Sequence, residues 1–133
     1  MQVVRDDTGA SAILAMVLKI RLAQPFYGFA LVDKDGFPVG ALAFTNYSGP
    51  NVELSICVGK RLTLGAVREI ARVAFVMMKV RRITVHTKAS NVRAQHACEA
   101  LGFRSEGRAK DYYEDDDALV YALLASEQRL IKV

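Results

Sequence analysis

The chain has 133 residues, of which 52% are hydrophobic and 24% charged, and its formal net charge is +4. This length corresponds to one domain, because domains average about 150 residues, and the composition excludes disorder over most of the sequence. We therefore expect a single folded domain over residues 1–133.

The N-terminal sequence argues against export and against a membrane span. The longest apolar stretch, residues 9–18, is about half as long as the roughly 20 residues that a span needs. One arginine and two aspartates precede it, whereas a secretory signal places positive charge there. Cys57 and Cys98 have neither metal-ligand spacing nor a disulfide-rich setting. We expect a cytoplasmic protein with reduced thiols, no metal site and no membrane contact.

The excess of basic residues is spread over short clusters. Lys60-Arg61 and Arg81-Arg82 are pairs, and an acidic block at residues 114–117 follows the basic residues near position 108. Nucleic-acid binding needs a continuous basic stripe, so a nucleic-acid partner is not expected. Short clusters suit a small ligand that carries phosphate.

The N-terminal part predicts a short strand and then a helix. Residues 3–5 are of strand type, and Thr8 is suited to cap the helix that follows. Apolar residues recur at helical spacing until Pro25 interrupts the pattern. These residues are Ile13, Leu14, Val17, Leu18 and Leu22.

Two apolar runs, at residues 29–32 and 39–44, predict a β-hairpin. The segment between them begins Asp33-Lys34-Asp35-Gly36, which is typical of a tight turn. Residues 52–58 predict a further strand with alternating faces, one of which carries Glu53, Ser55 and Cys57.

The second half predicts two helices separated by a strand. Helical spacing predicts a helix over residues 63–78, and branched residues predict a strand over 83–87. Asn91 is suited to cap a helix that runs to about Leu101 and ends at Gly102. A final strand pair begins at residue 103 and includes residues 118–124. This order predicts an α/β fold with a mixed, mostly antiparallel sheet that is not doubly wound.

Three local features suggest where the chemistry takes place. Residues 58–66 join a strand to a helix, and a helix start offers unpaired N–H groups that bind phosphate. The second feature is Ala89-Ser90-Asn91-Val92-Arg93-Ala94 with Leu101-Gly102-Phe103, in which Asn91 can also be a plain helix cap. The third is Glu106-Gly107-Arg108, followed by Tyr112-Tyr113 and Asp117-Ala118.

Together these motifs resemble the GNAT superfamily of acyl-CoA-dependent N-acetyltransferases, best over residues 52–127. The stretch 89–103 is the most specific part. Within the superfamily, Tyr112-Tyr113 with Asp117-Ala118 is similar to the bacterial enzymes that acetylate the N-termini of ribosomal proteins. The resemblance implies a GNAT-like fold in which strand 52–58 splays from strand 83–87, leaving a V-shaped opening for acetyl-CoA.

The resemblance also implies the contacts to acetyl-CoA, the co-substrate. Its pantetheine arm would pair with the backbone of residues 56–58, and its pyrophosphate would lie on N–H groups of residues 60–66. Asn91 would reach the pantetheine from the other side, and Arg93 would meet a phosphate. Thr63 replaces the first glycine of the family's loop pattern, and the loop is shorter than usual. The implied residues are Ile56, Cys57, Val58, Lys60, Arg61, Leu62, Thr63, Leu64, Gly65, Ala66, Asn91 and Arg93.

For catalysis the resemblance implies a base for the amine and an acid for the departing thiolate. Glu53 stands where histone-type members keep their base, and His86 is the alternative. Cys98 stands where the family has its tyrosine acid, and Tyr112 or Tyr113 could replace it. Each of these residues also has a purely structural interpretation. Glu53 would be an exposed carboxylate, His86 a partly buried strand residue and Cys98 a buried thiol, while the two tyrosines would serve in packing.

We therefore expect an N-acetyltransferase that moves an acetyl group directly to a primary amine, on a protein N-terminus or on a small molecule. The acidic block at residues 114–117 would either attract a cationic amine or form a solvated turn. The alternative is a non-catalytic module of the same fold that binds CoA or a protein partner, which Thr63, the short loop and Cys98 favour. A homodimer is an open alternative to a monomer.

Overall fold

The computed structural model describes residues 1–132, and its seven strands form one sheet in the order β1-β2-β3-β4-β5-β7-β6. Every neighbouring pair is antiparallel except β4 with β5, so the predicted mixed sheet is confirmed. The strands are β1 (Gln2–Arg5), β2 (Tyr27–Val32), β3 (Pro38–Thr45), β4 (Asn51–Val58), β5 (Arg82–Lys88), β6 (Arg104–Ala109) and β7 (Ala118–Leu124). The helices are α1 (Asp7–Leu18), α2 (Leu64–Arg72) and α3 (Val92–Ala100).

Helix α1 begins and ends at other residues than its sequence predicts. Asp6 caps it by accepting the Gly9 N–H at 2.8 Å, so the prediction of Thr8 as the cap was wrong. The helix ends at Leu18, because Lys19 adopts a left-handed conformation with φ 56°. Leu22, predicted as helical, therefore lies in the segment that leads to β2.

Helix α2 starts at the predicted place but changes its winding. It is α-helical to Arg72, and a π-helical turn then spans Val73–Met77. The wider turn changes which residues face inward: Val73, Ala74 and Phe75 are all buried in succession. Met77 is 71% exposed.

The two faces of the sheet are covered differently. The α2 face includes Val52, Leu54, Ile83 and Val85, and these residues share one core with α2, the π-helical turn and the Cys98 side of α3. The opposite face, here called the α1 face, packs against α1 only over β2, β3 and β4. Helix α1 makes no comparable contact with β5 or β7.

The parallel strands β4 and β5 separate along their length. Their register runs from Asn51 opposite Arg82 to Leu54 opposite Val85 and stops there. Beyond that point β4 stays paired with β3, and β5 stays paired with β7. The predicted V-shaped opening between these strands is confirmed. No helix in the described part of the chain has the length and apolar character needed to span a membrane.

Candidate active site

One edge of the opening is the free backbone at the end of β4. The Gly59 N–H donates to the Val39 carbonyl at 2.8 Å, which extends the antiparallel ladder between β3 and β4. In such a ladder successive residues point their backbone groups to alternate sides, so Cys57 is directed at β3. Ile56 and Val58 then direct their N–H and carbonyl groups into the opening. The prediction that the backbone of Cys57 also pairs with the pantetheine arm was therefore wrong, because its N–H and carbonyl groups face β3.

Glycine at position 40 keeps the end of β4 in place. A Cβ atom on Gly40 would lie 2.3 Å from the Cys57 carbonyl oxygen and 2.8 Å from Val58 Cα. Such distances exclude any side chain, so β3 and β4 approach each other as closely as their backbones allow. Close packing against β3 therefore holds the end of β4 in place, although β4 is no longer paired with β5 there.

The start of α2 forms the outer rim of the opening. Thr63 caps the helix, since its Oγ1 accepts the Ala66 N–H at 3.2 Å and its φ is −76°. A threonine is thus accommodated without strain. Ala66 is buried and its N–H is already used, which leaves the N–H groups of Leu64 and Gly65 for a ligand. A Cβ on Gly65 would meet only Thr63 Oγ1, at 4.0 Å.

The basic residues before α2 have different surroundings. Lys60 Nζ lies 3.5 Å from Asp33 Oδ2 in the β2–β3 turn, and its side chain is 61% exposed. Arg61 is exposed, whereas Leu62 packs against the core. Lys60 and Arg61 can therefore meet an anion at the surface, and Leu62 anchors the loop between them and the helix.

The other rim of the opening is the start of α3. Asn91 caps this helix by accepting the Ala94 N–H at 3.1 Å through Oδ1, which leaves its Nδ2 hydrogens for another partner. Arg93 is exposed in the first turn. Because β4 and β5 are parallel, α2 and α3 both begin at the same edge of the sheet, beside the opening. Two helix N-termini and three nearby cationic side chains can hold a phosphorylated ligand.

Glu53 lies on the α1 face, next to the opening. It is half-buried and stands opposite Thr45 on β3 and Thr84 on β5. Its Oε2 accepts a hydrogen bond from Asn46 Nδ2 at 2.6 Å. Asn46 was not predicted as a site residue, because an asparagine after a strand usually indicates only a turn.

His86 and the two tyrosines gather beside Glu53. The rings of His86 and Tyr112 are stacked, with centroids 4.6 Å apart. Tyr113 packs edge-on against Tyr112, and its hydroxyl donates to the His86 carbonyl at 3.3 Å. Burial and then the negative Glu53 raise the pKa of Tyr112, while burial raises the pKa of Tyr113 to about 12. Both phenols are therefore protonated at neutral pH.

Cys98 is not part of this group. It is buried in the core on the α2 face, whereas Glu53, His86 and Tyr112 lie on or above the α1 face. Burial, with a smaller contribution from Glu99, raises the pKa of its thiol to about 11. The structure thus brings together every residue predicted for catalysis except Cys98.

Three of the four side chains of the acidic block form ion pairs or hydrogen bonds with other residues of the chain. Asp115 pairs with Lys88 at 2.9 Å, and Asp117 with Arg108 at 2.7 Å. Asp116 accepts the Ser90 N–H at 2.9 Å, and the Ser90 side chain together with this N–H lowers the pKa of Asp116. The bonds to Lys88 and Ser90 tie the β6–β7 loop to the junction between β5 and α3, which favours the interpretation of the block as a turn. The sequence did not reveal this tie, because its partners lie some 20 to 30 residues apart.

Within residues 1–132, no cluster of three or more His, Cys, Asp or Glu side chains could hold a metal ion. Cys57 and Cys98 are both free thiols. The side chains beside the opening supply carboxylate, imidazole and phenol groups next to free backbone N–H groups.

Comparisons with known proteins agree with this architecture. Residues 2–104 match the family model of the acetyltransferase (GNAT) domain. A point mutant of spermidine N-acetyltransferase SpeG from Vibrio cholerae has the same fold, with a TM-score of 0.78 at 15% identity over 95% of this chain and 96% of that chain. The same enzyme in complex with CoA and spermine gives 0.69 at 20% identity, over 78% of this chain and 68% of that chain. No curated protein matches the sequence significantly.

Proposed function

This chain belongs to the GNAT acetyltransferase family, and from that premise we propose that it acetylates a primary amine held on the α1 face beside Glu53. As a member it is an N-acetyltransferase that uses acetyl-CoA. The observation that carries the proposal is the position of Glu53, Tyr112 and His86 next to the free backbone of Ile56 and Val58.

The residues around the opening fit acetyl-CoA. The backbone groups of Ile56 and Val58 are suited to pair with the amides of the pantetheine arm, with Asn91 Nδ2 on the other side. The N–H groups of Leu64 and Gly65 are suited to the pyrophosphate, because they are unpaired at the positive end of a helix dipole. Arg61 and Arg93 add charge at the surface. Bound there, acetyl-CoA supplies the activated acetyl thioester.

The proposed role of Glu53 is general base. A protonated amine cannot attack a carbonyl, so a carboxylate that takes its proton, directly or through water, makes the nitrogen nucleophilic. The amine nitrogen then forms a bond to the acetyl carbon, while the N–H near Val58 stabilises the developing negative charge on oxygen. The C–S bond breaks, and the thiolate takes a proton from Tyr112 or from water. No acyl-enzyme is involved.

The identity of the amine is a further part of the proposal. The SpeG enzyme is a spermidine N-acetyltransferase by name, which suggests a polyamine. The tyrosine pair and Asp117-Ala118 are similar to enzymes that acetylate protein N-termini, which suggests a peptide. Intact-mass analysis with spermidine, an N-terminal peptide and a lysine-containing peptide with a blocked N-terminus distinguishes these acceptors. Light scattering on the same sample tests whether the protein is a homodimer.

The role of Glu53 is tested by Glu53→Gln. We expect turnover to fall by about 10²-fold or more, the usual value of a positioned base, with little effect on acetyl-CoA affinity. His86→Gln should have a smaller effect, and Glu127→Gln, a surface carboxylate paired with Arg104, none. A larger loss from His86→Gln at saturating substrate would move the base to the imidazole. Stabilisation by acetyl-CoA with no product from any amine would favour the non-catalytic alternative.

A further inference from the structure

Asn46 contacts Glu53 through an unusual backbone conformation. It directly follows β3 and is left-handed, with φ 52°, a conformation that asparagine tolerates better than most residues other than glycine. From there its Nδ2 donates to Glu53 Oε2 at 2.6 Å. A bond to a carboxylate at this distance is among the stronger hydrogen bonds in proteins.

The turn that contains Asn46 is closed by other residues. The Ser48 N–H donates to the Asn51 carbonyl at 2.9 Å, and the Tyr47 hydroxyl donates to the Met78 carbonyl at 3.4 Å. Within the described residues, the only hydrogen bond of the Asn46 side chain is the one to Glu53. The amide is therefore directed at the carboxylate and is not needed to shape the turn.

We propose that Asn46 is a positioning residue for acetyl transfer. This inference rests on the proposed role of Glu53 as the base. Asn46 donates a hydrogen bond to Oε2 of Glu53, which leaves Oε1 of Glu53 to accept the proton of the amine. A glutamate side chain has several rotatable bonds, and a base works only within hydrogen-bond reach of the proton that it removes. The Asn46 amide fixes the carboxylate before the amine arrives, which lowers the entropic cost of reaching the reactive geometry.

Two substitutions distinguish the contribution of the Asn46 side-chain amide from that of its left-handed backbone conformation. Asn46→Gly keeps a residue that readily adopts positive φ and removes the donor. Asn46→Asp keeps the shape of the side chain but replaces the NH₂ group by a second acceptor. We expect kcat to fall about tenfold in Asn46→Gly, with the KM for acetyl-CoA and the thermal midpoint nearly unchanged. In Asn46→Asp the loss of kcat should be larger and the thermal midpoint lower, because the new carboxylate repels that of Glu53. Lys79→Gly is the matched control, because Lys79 is also exposed and left-handed, with φ 57°, and lies outside the site.

A double-mutant cycle identifies the route by which Asn46 acts. If it acts through Glu53, Asn46→Gly should cost nothing further in a Glu53→Gln background. An equal tenfold loss in both backgrounds, or no loss in the wild-type background, would overturn the inference. A Glu53→Gln variant with full activity would instead overturn the proposed function. A drop in thermal midpoint that Lys79→Gly does not share, with kcat intact, would assign Asn46 to the fold alone.

Discussion

The phenol ring of Tyr112 lies flat on the imidazole of His86, with centroids 4.6 Å apart and planes within 1° of parallel. This contact joins the β6–β7 loop to β5 on the side of the opening where Glu53 lies. Tyr112 remains 49% exposed, so part of its ring is accessible to a ligand. An alkylammonium group placed on that ring would meet both an aromatic face and a carboxylate, which suits a cationic amine.

Two substitutions at Tyr112 distinguish the role of its ring in binding the amine from the role of its hydroxyl as a proton donor. If the ring holds the amine, Tyr112→Ala should raise the amine KM about fivefold or more, while Tyr112→Phe leaves it unchanged. If the hydroxyl also protonates the thiolate, Tyr112→Phe should lower kcat by up to about tenfold, less than the usual range for a general acid because water can substitute. Steady-state kinetics in both substrates make the measurement, with Tyr27→Phe as the control on an exposed tyrosine.

Tyr113→Phe should have the smaller effect of the two tyrosine substitutions. Its hydroxyl already donates to the His86 carbonyl, and burial raises its pKa to about 12, so it is a poor proton donor to a bound substrate. We expect less than a threefold loss of turnover and a modest loss of stability from the missing hydrogen bond. A larger kinetic loss for Tyr113→Phe than for Tyr112→Phe would reverse the assignment.

Gly65 provides a test of the phosphate contact at α2. Because a Cβ there meets only Thr63 Oγ1 at 4.0 Å, Gly65→Val should fold normally. Its side chain would occupy the space next to the free N–H groups. Acetyl-CoA at 100 times its Kd should stabilise the wild type by about 2.7 kcal/mol, and we expect this shift to disappear in the variant. Glu69→Val, one turn further along the helix, is the control, and a normal shift in Gly65→Val would contradict the assignment.

Local signals predicted more of this fold than of the site. Periodicity and capping located β4, β5 and the starts of α2 and α3, because each depends on neighbouring residues. The contact between Asn46 and Glu53 depends on a left-handed residue after β3, which the sequence does not mark. The ties between the β6–β7 loop and Lys88 or Ser90 depend on strand order, so spacing alone could not reveal them.

The carboxylates of the β6–β7 loop predict how stability depends on pH. The pKa of Asp116 is lowered by Ser90, and that of Asp117 by the Asp111 N–H and then by Arg108. A lowered pKa in the folded state means that the contribution to stability is present above the unfolded value, about 3.9, and is lost as the pH falls below it. The thermal midpoint of the wild type should therefore drop below about pH 4.

Asp116→Asn should remove part of that dependence. We expect a lower midpoint than wild type at pH 7 and convergence of the two proteins as the pH approaches 2, where both lack the charge. Asp35→Asn is the control, since the Asp35 side chain makes no ion pair or hydrogen bond within the described residues. Parallel curves for Asp116→Asn and wild type at all pH values would show that the Ser90 contact does not require the charge.

The sequence resemblance predicts the family's tyrosine acid at the position of Cys98, but the thiol there is buried in the core. It lies in α3 two turns beyond the Asn91 cap, about 10 Å along the helix axis, and its sulfur is buried among core residues. Burial also raises its pKa to about 11, which makes it a weak donor of protons.

We therefore expect Cys98→Ala to retain at least about a tenth of wild-type turnover, within the lower part of the range for a general acid. Its thermal midpoint should fall, because removing a buried sulfur leaves a small cavity. Cys98→Ser fills that space but buries a hydroxyl, so it should be at least as unstable and equally active. An inactive Cys98→Ala that still folds and is still stabilised by acetyl-CoA, with Tyr112→Phe and Tyr113→Phe both active, would instead identify the sulfur as the proton donor.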